Sequence, residues 1–319
     1  MRCLSVAASF VSMGEDVVFI TADHKGDHLI RNKGFDSICL ESEWTKKEEE
    51  LPALMSLIRR ERPRMMLVDS YSVTEKYFNS LTESLLLAYF DDLNASKWEV
   101  DYLINYNIFA DTLDYSWYRC SKTKLLLGPD FAPLRDEFKG MPPHQNNEEV
   151  SDVLVSAGGA DPERVTERLM ESVCPRWQGV TFHFIVGALN PRIETIKREK
   201  AENAVLHINE QHMSELMKKC DIAISAAGTT LYEICASGIP TITYTLADNQ
   251  MIAAEVFENK KIMLNAGDSR NDEHFAERVN TCVELLIEKK KIRKEISRKM
   301  QKLVDGYGAD RIAKALINE

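Results

Sequence analysis

Short runs of consecutive apolar residues alternate along the chain with longer segments in which apolar residues recur every three or four positions. Residues 46–62 place four apolar side chains on one face of a helix: Leu51, Leu54, Leu57 and Ile58. The run that begins at Met65 is continuously apolar, which is typical of a strand buried on both faces. Comparable runs predict strands at residues 16–21, 65–69, 85–90, 124–128, 153–156, 182–186, 204–208, 222–225 and 241–244. This alternation predicts an α/β protein built on parallel sheets.

The chain opens on a helix. Residues 1–13 are rich in Ala, Ser and Leu, and Gly14 is a typical helix stop. A doubly wound domain ordinarily opens on a strand that is followed by a loop and then a helix. We therefore expect the first strand to be missing from the N-terminal domain.

The composition changes between Phe138 and Val150, where residues 139–149 are polar and rich in Pro and Asn. This stretch is predicted to link two domains. Residues 1–140 form the first, and residues 151–319 the second, whose last helix is predicted to cross back to the first. Two Rossmann-like parallel-sheet domains that face a cleft are the architecture known as GT-B.

Composition excludes several functional classes. The net charge of −10 argues against nucleic acid or an anionic membrane as a partner. No apolar run approaches the ~18 residues of a membrane span. The seven scattered cysteines indicate reduced thiols and a cytoplasmic protein. The basic run 289–294 is predicted to be a solvated helix face.

The segment from Ile224 to Glu233 reads as a strand, a turn of small residues and a helix. Ala227 and Gly228 let a ligand approach the backbone closely, and the N-terminus of the helix favours a phosphate. Three polar side chains follow that can bind a nucleotide: the hydroxyls of Thr229 and Thr230 and, for the ribose hydroxyls, the carboxylate of Glu233. The alternative is an ordinary N-capped helix with Glu233 at a position favoured by the helix dipole.

Two further turns follow predicted strands of the second domain. Gly158 and Gly159 form a strand–Gly–Gly–helix turn, and Pro162 suits the first position of its helix. An ordinary loop between strand and helix explains this turn equally well. Asn249 and Gln250 offer amide groups at the same edge of the sheet. Capping of the helix by the residue at 248 or 249 is the alternative there.

Polar residues end the strands of the first domain: Asp69 and Tyr71, then Asp91 and Asp92, then Asn105 and Asn107. The adjacent aspartates suggest acid–base chemistry or a metal. Neighbouring residues of an extended segment point in opposite directions, however, so one aspartate is expected to cap a turn. The histidines at 24 and 28 lack a third ligand nearby, and no metal is expected.

Together these segments resemble the UDP-binding domain of the peptidoglycan GlcNAc transferase superfamily. The motifs that carry this resemblance are Gly158-Gly159, Met213 with Leu216-Met217, Ala226–Thr230 with Glu233, Gly238-Ile239-Pro240 and Asn249-Gln250. The first half is similar to the UDP-2,4-diacetamido-2,4,6-trideoxy-β-L-altropyranose hydrolases of pseudaminic acid synthesis, to which a group of spore-coat polysaccharide proteins is related. The segments concerned are residues 1–4, 69–71, 90–92, 103–105 and 127–135.

The resemblance implies a monomeric enzyme without a cofactor, acting on a UDP-sugar. Water attacks the anomeric carbon, the C–O bond breaks with inversion, and UDP and the free sugar are released. By match to the motifs, the turn at Gly228 binds the diphosphate and Glu233 the ribose. Ile208 and Met213 border the uracil, Asn105 contributes to substrate binding, and Tyr71 and Asn249 lie at the sugar and the water.

The sequence departs from this family at its beginning. The family opens with a strand and a Gly-x-Gly-His loop whose histidine is the general base, and Met1–Leu4 match the residues directly after that histidine. We expect that Met1 is a start assigned too late. Two other functions stay open: an inverting UDP-sugar glycosyltransferase, and a UDP-sugar-binding protein without catalysis.

Overall fold

The computed structural model describes residues 1–81, 85–188, 190–270 and 272–318. It consists of two compact units. The first comprises Met1–Arg135 together with Tyr307–Glu319, and the second comprises Asp136–Gly306. The polar segment 139–149 therefore lies within the second unit.

The first unit contains two parallel sheets. Its helices are α1 (Arg2–Ser12), α2 (Asp27–Asn32), α3 (Lys47–Glu61) and α4 (Glu75–Asn79). Its strands are β1 (Val18–Thr21), β2 (Asp36–Cys39), β3 (Met65–Val68), β4 (Leu86–Phe90), β5 (Tyr102–Asn105) and β6 (Lys124–Leu127). β1 pairs with β2, while β3, β4, β5 and β6 form the second sheet in that order.

Both sheets contribute to one apolar core. Leu54 of α3, Phe78 of α4 and Leu103 of β5 are fully buried in it, and Ile20 of β1 packs against this cluster. The predicted amphipathic helix is confirmed, because its four apolar residues are all buried. The hydrophobic stripe of α3 thus covers the sheet that carries the polar strand ends.

The second unit is a single six-stranded parallel sheet with helices between its strands. Its strands are β7 (Asp152–Ser156), β8 (Thr181–Val186), β9 (Ala204–Ile208), β10 (Ile222–Ala226), β11 (Thr241–Thr245) and β12 (Leu264–Asp268). Its helices are α5 (Val165–Ser172), α6 (Ile193–Arg198), α7 (Met213–Lys219), α8 (Thr230–Ser237), α9 (Asp248–Asn259), α10 (Phe275–Glu288) and α11 (Lys290–Leu303).

The order of these strands creates a switch point. The sheet runs β12-β11-β10-β7-β8-β9, so the chain builds outward from β7 to β9 and then returns to place β10 on the other side of β7. Loops that leave β7 and β10 therefore diverge to opposite sides of the sheet. In open α/β sheets, the crevice at such a point is where ligands bind.

The last helix, α12 (Gly308–Ile317), belongs to the first unit. It lies against α1, where the Ser9 hydroxyl donates to Asp310 at 2.6 Å. The Tyr102 hydroxyl of β5 donates to the Ala315 carbonyl at 2.6 Å. Gly308 lies so close to Ala132 that a Cβ there would meet the Ala132 carbonyl oxygen at 2.1 Å. This glycine is needed for the close approach of α12.

The basic run at 289–294 is not a uniformly solvated helix face. Lys289 separates α10 from α11, and Arg293 is 1% exposed. Its guanidinium donates to four backbone carbonyls, those of Leu286, Ile287, Asn147 and Glu148, at 2.5 to 3.2 Å. The prediction was wrong at this position because the last carbonyls of α10 have no partner within the helix and attract a cation.

None of the helices in the described ranges is long and apolar enough to cross a membrane. All seven cysteines are free thiols. Three of them, Cys174, Cys220 and Cys235, are buried in the second unit, where burial raises the pKa of each thiol.

Candidate functional site

Two small-residue turns of the second unit begin at neighbouring strand ends, at the switch point. One, Gly158-Gly159, follows β7, and the other, Ala227–Thr229, follows β10. β7 and β10 are paired, with Ser156 opposite Ser225, so the turns leave the sheet at the same edge. Their strands are about 4.8 Å apart. The structure thus brings together the two turns that the sequence identified separately.

The start of α8 is shaped by backbone hydrogen bonds. The Ala227 amide donates to Tyr244 and the Gly228 amide to Ala226, both at 2.8 Å. The N-cap residue Thr229 is exposed and makes no side-chain capping bond. The interpretation as a helix capped by a side chain is therefore wrong. The first amides of a helix have no hydrogen-bond partner within that helix. In α8 they lie at the positive end of the helix dipole, and no side chain caps them.

Glu233 lies in the first turn of α8 and is half-buried. Thr230 begins this helix and is likewise half-buried. A carboxylate in the first turn of a helix lies near the positive end of the helix dipole and is attracted to it. It can then accept hydrogen bonds from two neighbouring hydroxyl groups.

The turn after β7 differs from its prediction at one residue. Pro162 is not the first residue of the helix, because α5 begins at Val165. The buried carboxylate of Asp161 accepts from the amides of Val165 and Thr166 at 2.8 and 3.0 Å. Arg192 donates to the Asp161 carbonyl at 2.6 Å. A rigid polar loop therefore separates the glycine turn from its helix.

Gly187, which follows β8, lies directly against the glycine turn. A Cβ at this position would be 2.3 Å from the Gly159 carbonyl oxygen. Gly158 has a φ of +78°, a conformation that favours glycine. Apart from its two chain neighbours, no heavy atom of the described residues lies within 4 Å of a Cβ built at Gly159. Gly187 therefore prevents the turn from moving towards β8, while space remains beside Gly159.

The loop after β11 lies at the next strand end along the same edge. The side-chain amide oxygen of Gln250 accepts from the Leu246 backbone amide at 2.8 Å, and Asn249 is exposed. No side chain caps α9, so the interpretation of the residues at 248 and 249 as caps is wrong. Asp248 is instead paired with Arg270 at 2.6 Å. Asp248 and Asn249, the first two residues of α9, are both exposed.

Ile208 and Met213 lie farther along the edge. Ile208 ends β9 and is 38% exposed, whereas Met213 begins α7 and is 6% exposed. β9 is three strand positions from β10, roughly 14 Å away. Met213 therefore contributes mainly to the core, and Ile208 presents the accessible apolar surface.

Arg2 organises the polar strand ends of the first unit. Its guanidinium makes a two-pronged ion pair with Asp69 at 2.6 and 2.9 Å and contacts both Asp92 oxygens at 2.9 Å. It also lies 4.6 Å from the centre of the Phe90 ring. Burial lowers the pKa of Arg2, but the hydrogen bond to Asp69 and the nearby Tyr106 and Asp92 raise it overall. Burial also raises the pKa of Asp69, and Arg2 outweighs this effect and lowers it.

Tyr71 is attached to this cluster by its hydroxyl group. The side chain is 64% exposed, and its hydroxyl donates to Asp92 at 2.6 Å. Partial burial and the hydrogen bond to Asp92 raise the pKa of Tyr71 to about 12. Tyr71 is therefore a neutral hydrogen-bond donor near pH 7.

The two adjacent aspartates have separate roles. Asp91 is buried and accepts from the amides of Leu93 and Asn94 at 3.1 and 2.9 Å. The prediction that one of the pair caps a turn is confirmed. Burial raises the pKa of Asp91. Asp92 points the other way, towards Arg2 and Tyr71.

Asn105 is fully buried beneath the cluster. Its amide nitrogen donates to Tyr115 at 3.0 Å, and its oxygen accepts from the Asn107 side chain at 2.8 Å. Asn107 also donates to Asp92 at 3.2 Å. Asn107, rather than Asn105, is the amide side chain that reaches the cluster.

The two histidines of the first unit, at which no metal is expected, contact side chains of their own helical segment. His24 is paired with Asp27 at 2.8 Å, and His28 contacts Asn32. Within the ranges that the structure describes, no group of three or more His, Cys, Asp or Glu side chains is arranged to hold a metal ion.

Comparison with known proteins extends this description. Residues 153–307, nearly the whole second unit, match the family model of the Glycosyltransferase family 28 C-terminal domain. The chain is 26% identical over 155 residues to the spore coat polysaccharide biosynthesis protein SpsG of Bacillus subtilis, covering 47% of this chain and 46% of that protein.

A second relative is the pseudaminic acid cytidylyltransferase and UDP-2,4-diacetamido-2,4,6-trideoxy-β-L-altropyranose hydrolase of Helicobacter pylori. It is 28% identical over 198 residues, which cover 61% of this chain and 36% of that protein. The chain spans about half, or less, of the length of the curated relatives that it matches.

The fold is shared with MurG of Acinetobacter baumannii. The TM-score is 0.70 at 11% identity, and the match covers 100% of this chain and 95% of that one. The predicted fold class, an α/β protein with two Rossmann-like parallel-sheet domains of the GT-B type, is confirmed. At this level of identity the likeness concerns the fold alone.

Proposed function

We propose that the second unit binds a UDP-sugar at the carboxyl edge of its sheet. The observation that carries this proposal is the meeting of the Gly158-Gly159 and Ala227–Thr229 turns at the switch point between β7 and β10. The uncapped, positive N-terminus of α8 suits a diphosphate. Glu233 accepts the ribose hydroxyls, and the uracil lies along the edge towards Ile208 and Met213.

The reaction that we propose is hydrolysis of the sugar–phosphate bond. Water forms a bond to the anomeric carbon, the C–O bond to the β-phosphate breaks with inversion, UDP leaves and the proton passes to solvent. The name of the Helicobacter pylori relative supports this reaction and its trideoxy diacetamido sugar. In the second unit, Asn249 is the exposed amide that binds the sugar.

Transfer of the sugar to an acceptor is the second candidate. The family 28 match and the shared fold with MurG favour it. Both candidates use the same UDP site and differ in the nucleophile, which is water in one and an acceptor hydroxyl in the other.

The role of Glu233 is tested by binding UDP and 2′-deoxy-UDP to the wild-type chain and to Glu233→Gln. A carboxylate that accepts both ribose hydroxyls should favour UDP over 2′-deoxy-UDP, and the variant should bind UDP roughly tenfold more weakly. The variant should also no longer distinguish the two nucleotides. Isothermal titration calorimetry measures both effects.

The matched control for this experiment is Glu255→Gln, which changes an exposed glutamate of α9. It should bind both nucleotides as the wild type does. A Glu233→Gln chain that still prefers UDP by the full factor would show that another group holds the ribose.

The reaction is tested by incubating the chain with UDP-2,4-diacetamido-2,4,6-trideoxy-β-L-altropyranose in the absence of any acceptor. We expect release of UDP and of the free sugar with inverted configuration. Nuclear magnetic resonance measures both products. UDP release that begins only after an acceptor hydroxyl is added would establish the transferase instead. No release in either case, with nucleotide binding intact, would refute both reactions.

A further inference from the structure

A chain of ionisable side chains crosses three adjacent strands of the second unit. Asp152 of β7 contacts His183 of β8 at 2.7 Å, and His183 contacts His207 of β9 at 3.0 Å. His183 is 2% exposed, whereas the His207 side chain is 21% exposed. Glu210, in the loop after β9, lies 3.5 Å from the remaining nitrogen of His207. None of these groups has a part in the proposed reaction.

The hydrogen positions in this chain follow from the donors available. The Asp152 carboxylate only accepts, so Nε2 of His183 must carry a hydrogen. A neutral His183 then accepts at Nδ1, and His207 must donate from its Nε2. A neutral His207 therefore has no hydrogen on the nitrogen that faces Glu210. Two acceptors face each other there, at a distance beyond the ordinary limit of about 3.2 Å.

One added proton completes the chain. Protonated His207 would donate to Glu210 and would join Asp152, His183, His207 and Glu210 in a continuous series of three hydrogen bonds, each with an ionised partner. Glu210 already accepts from the His212 amide at 2.8 Å. Its second oxygen is the one that lies near His207. The same carboxylate can therefore connect the loop to the sheet.

This loop, residues 209–212, runs between Ile208 and Met213. Asn209 has a φ of +53°, in the left-handed region, so the chain turns sharply as it leaves β9. The loop therefore determines how the exposed Ile208 is presented at the edge of the sheet.

We propose that a proton on His207 fixes the 209–212 loop to the sheet through Glu210, and that the fixed loop binds the nucleobase more tightly. His207 is thus a positioning residue that acts through Glu210. The loop part of this inference stands on the contacts above. The nucleobase part rests on the proposed function, in which the uracil lies beside Ile208.

The direction of the pH dependence follows from the groups around His207. His183 faces it from β8, Asp152 stands behind His183 on β7, Lys219 of α7 lies 3.5 Å from Asp152, and Glu210 faces it from the loop. Burial lowers the pKa of His207, the neighbouring His183 and Lys219 lower it further, and Glu210 raises it. His207 is therefore neutral above the ordinary histidine pKa of about 6.5 and gains its proton as the pH falls. Nucleotide affinity should rise in the same direction.

The test measures the affinity of the whole chain for UDP-N-acetylglucosamine at about pH 8 and about pH 5.5, on either side of the ordinary histidine pKa. The diphosphate of this probe is esterified at both ends, so it has no ionisation between these two values. We expect the wild type to bind about fivefold more tightly at the lower pH. His207→Gln and Glu210→Gln should bind equally at both. Glu215→Gln, an exposed neighbour on α7, should keep the wild-type pH dependence.

A second measurement follows the loop without a ligand. Hydrogen exchange at the amides of Gln211 and His212, corrected for its intrinsic pH dependence, should be slower at the lower pH in the wild type and not in His207→Gln. Binding that is equal at both pH values would overturn this inference and leave the proposed nucleotide site intact. If the chain bound no probe at both pH values, the proposed nucleotide site and this inference would both be wrong. A His207→Gln chain that keeps the pH dependence would show that another group titrates.

Discussion

An Arg293→Ala chain is expected to unfold with a free energy about 3 kcal/mol lower than that of the wild type. Arg293 is 1% exposed, and its guanidinium holds the carbonyls of Leu286 and Ile287 at the end of α10 and those of Asn147 and Glu148 in the neighbouring segment. Alanine would leave these carbonyls without a donor and would leave a cavity. Urea titration of the transition that carries the second unit measures the loss.

Two control variants separate the causes of this loss. Lys294→Ala changes the exposed neighbouring residue and should alter stability by less than about 0.5 kcal/mol. Arg293→Met retains most of the buried volume without the donors, so its loss measures the hydrogen bonds alone. An Arg293→Met chain as stable as the wild type would show that desolvation of the guanidinium cancels its four contacts.

A Gly187→Ala chain is expected to bind UDP roughly 100-fold more weakly, which corresponds to a loss of about 2.8 kcal/mol from a displaced binding turn. The added Cβ would lie 2.3 Å from the Gly159 carbonyl oxygen, whereas ordinary contact begins at 3.4 Å. The Gly158-Gly159 turn must therefore move away from β8. Calorimetric titration with UDP measures the change in affinity.

Gly179→Ala is the matched control, since no heavy atom lies within 4 Å of a Cβ at Gly179. It should bind UDP as the wild type does. Both chains should retain the secondary structure of the wild type by circular dichroism. A Gly187→Ala chain that is folded and binds UDP normally would show that the glycine turn takes no part in nucleotide binding.

The sequence predicted strands best where both faces are buried. All five residues of β10 are buried, and its apolar run was located to within one residue. β2 and β12 were missed, because their sequences, DSIC and LNAGD, are neither continuously apolar nor regularly alternating. These strands lie at the edges of their sheets, where polar residues are tolerated. Edge strands with sequences of this kind therefore need tertiary information that the local pattern lacks.

The candidate site shows the same limit. The turns at Gly158 and Gly228 could be found because each is a local strand–turn–helix signal. Arg2 could not, since it is 67 positions from Asp69 and 90 positions from Asp92. Gly187 likewise has no local feature that reveals its contact with Gly159. Contacts between distant residues are set by sheet order, which the sequence alone left undetermined.

The return of α12 to the first unit has a consequence during synthesis. The residues that precede Arg135 leave the ribosome long before Gly308, and Ser9 meets Asp310 only after 301 further positions have been translated. The second unit, by contrast, is one uninterrupted segment of the chain and can fold as soon as it emerges. The apolar side of α1 therefore stays exposed until α12 has been synthesised. We expect chaperones that bind exposed apolar helices to bind the nascent chain at α1. A nonsense codon shortly before Gly308 would destabilise the first unit more than the second.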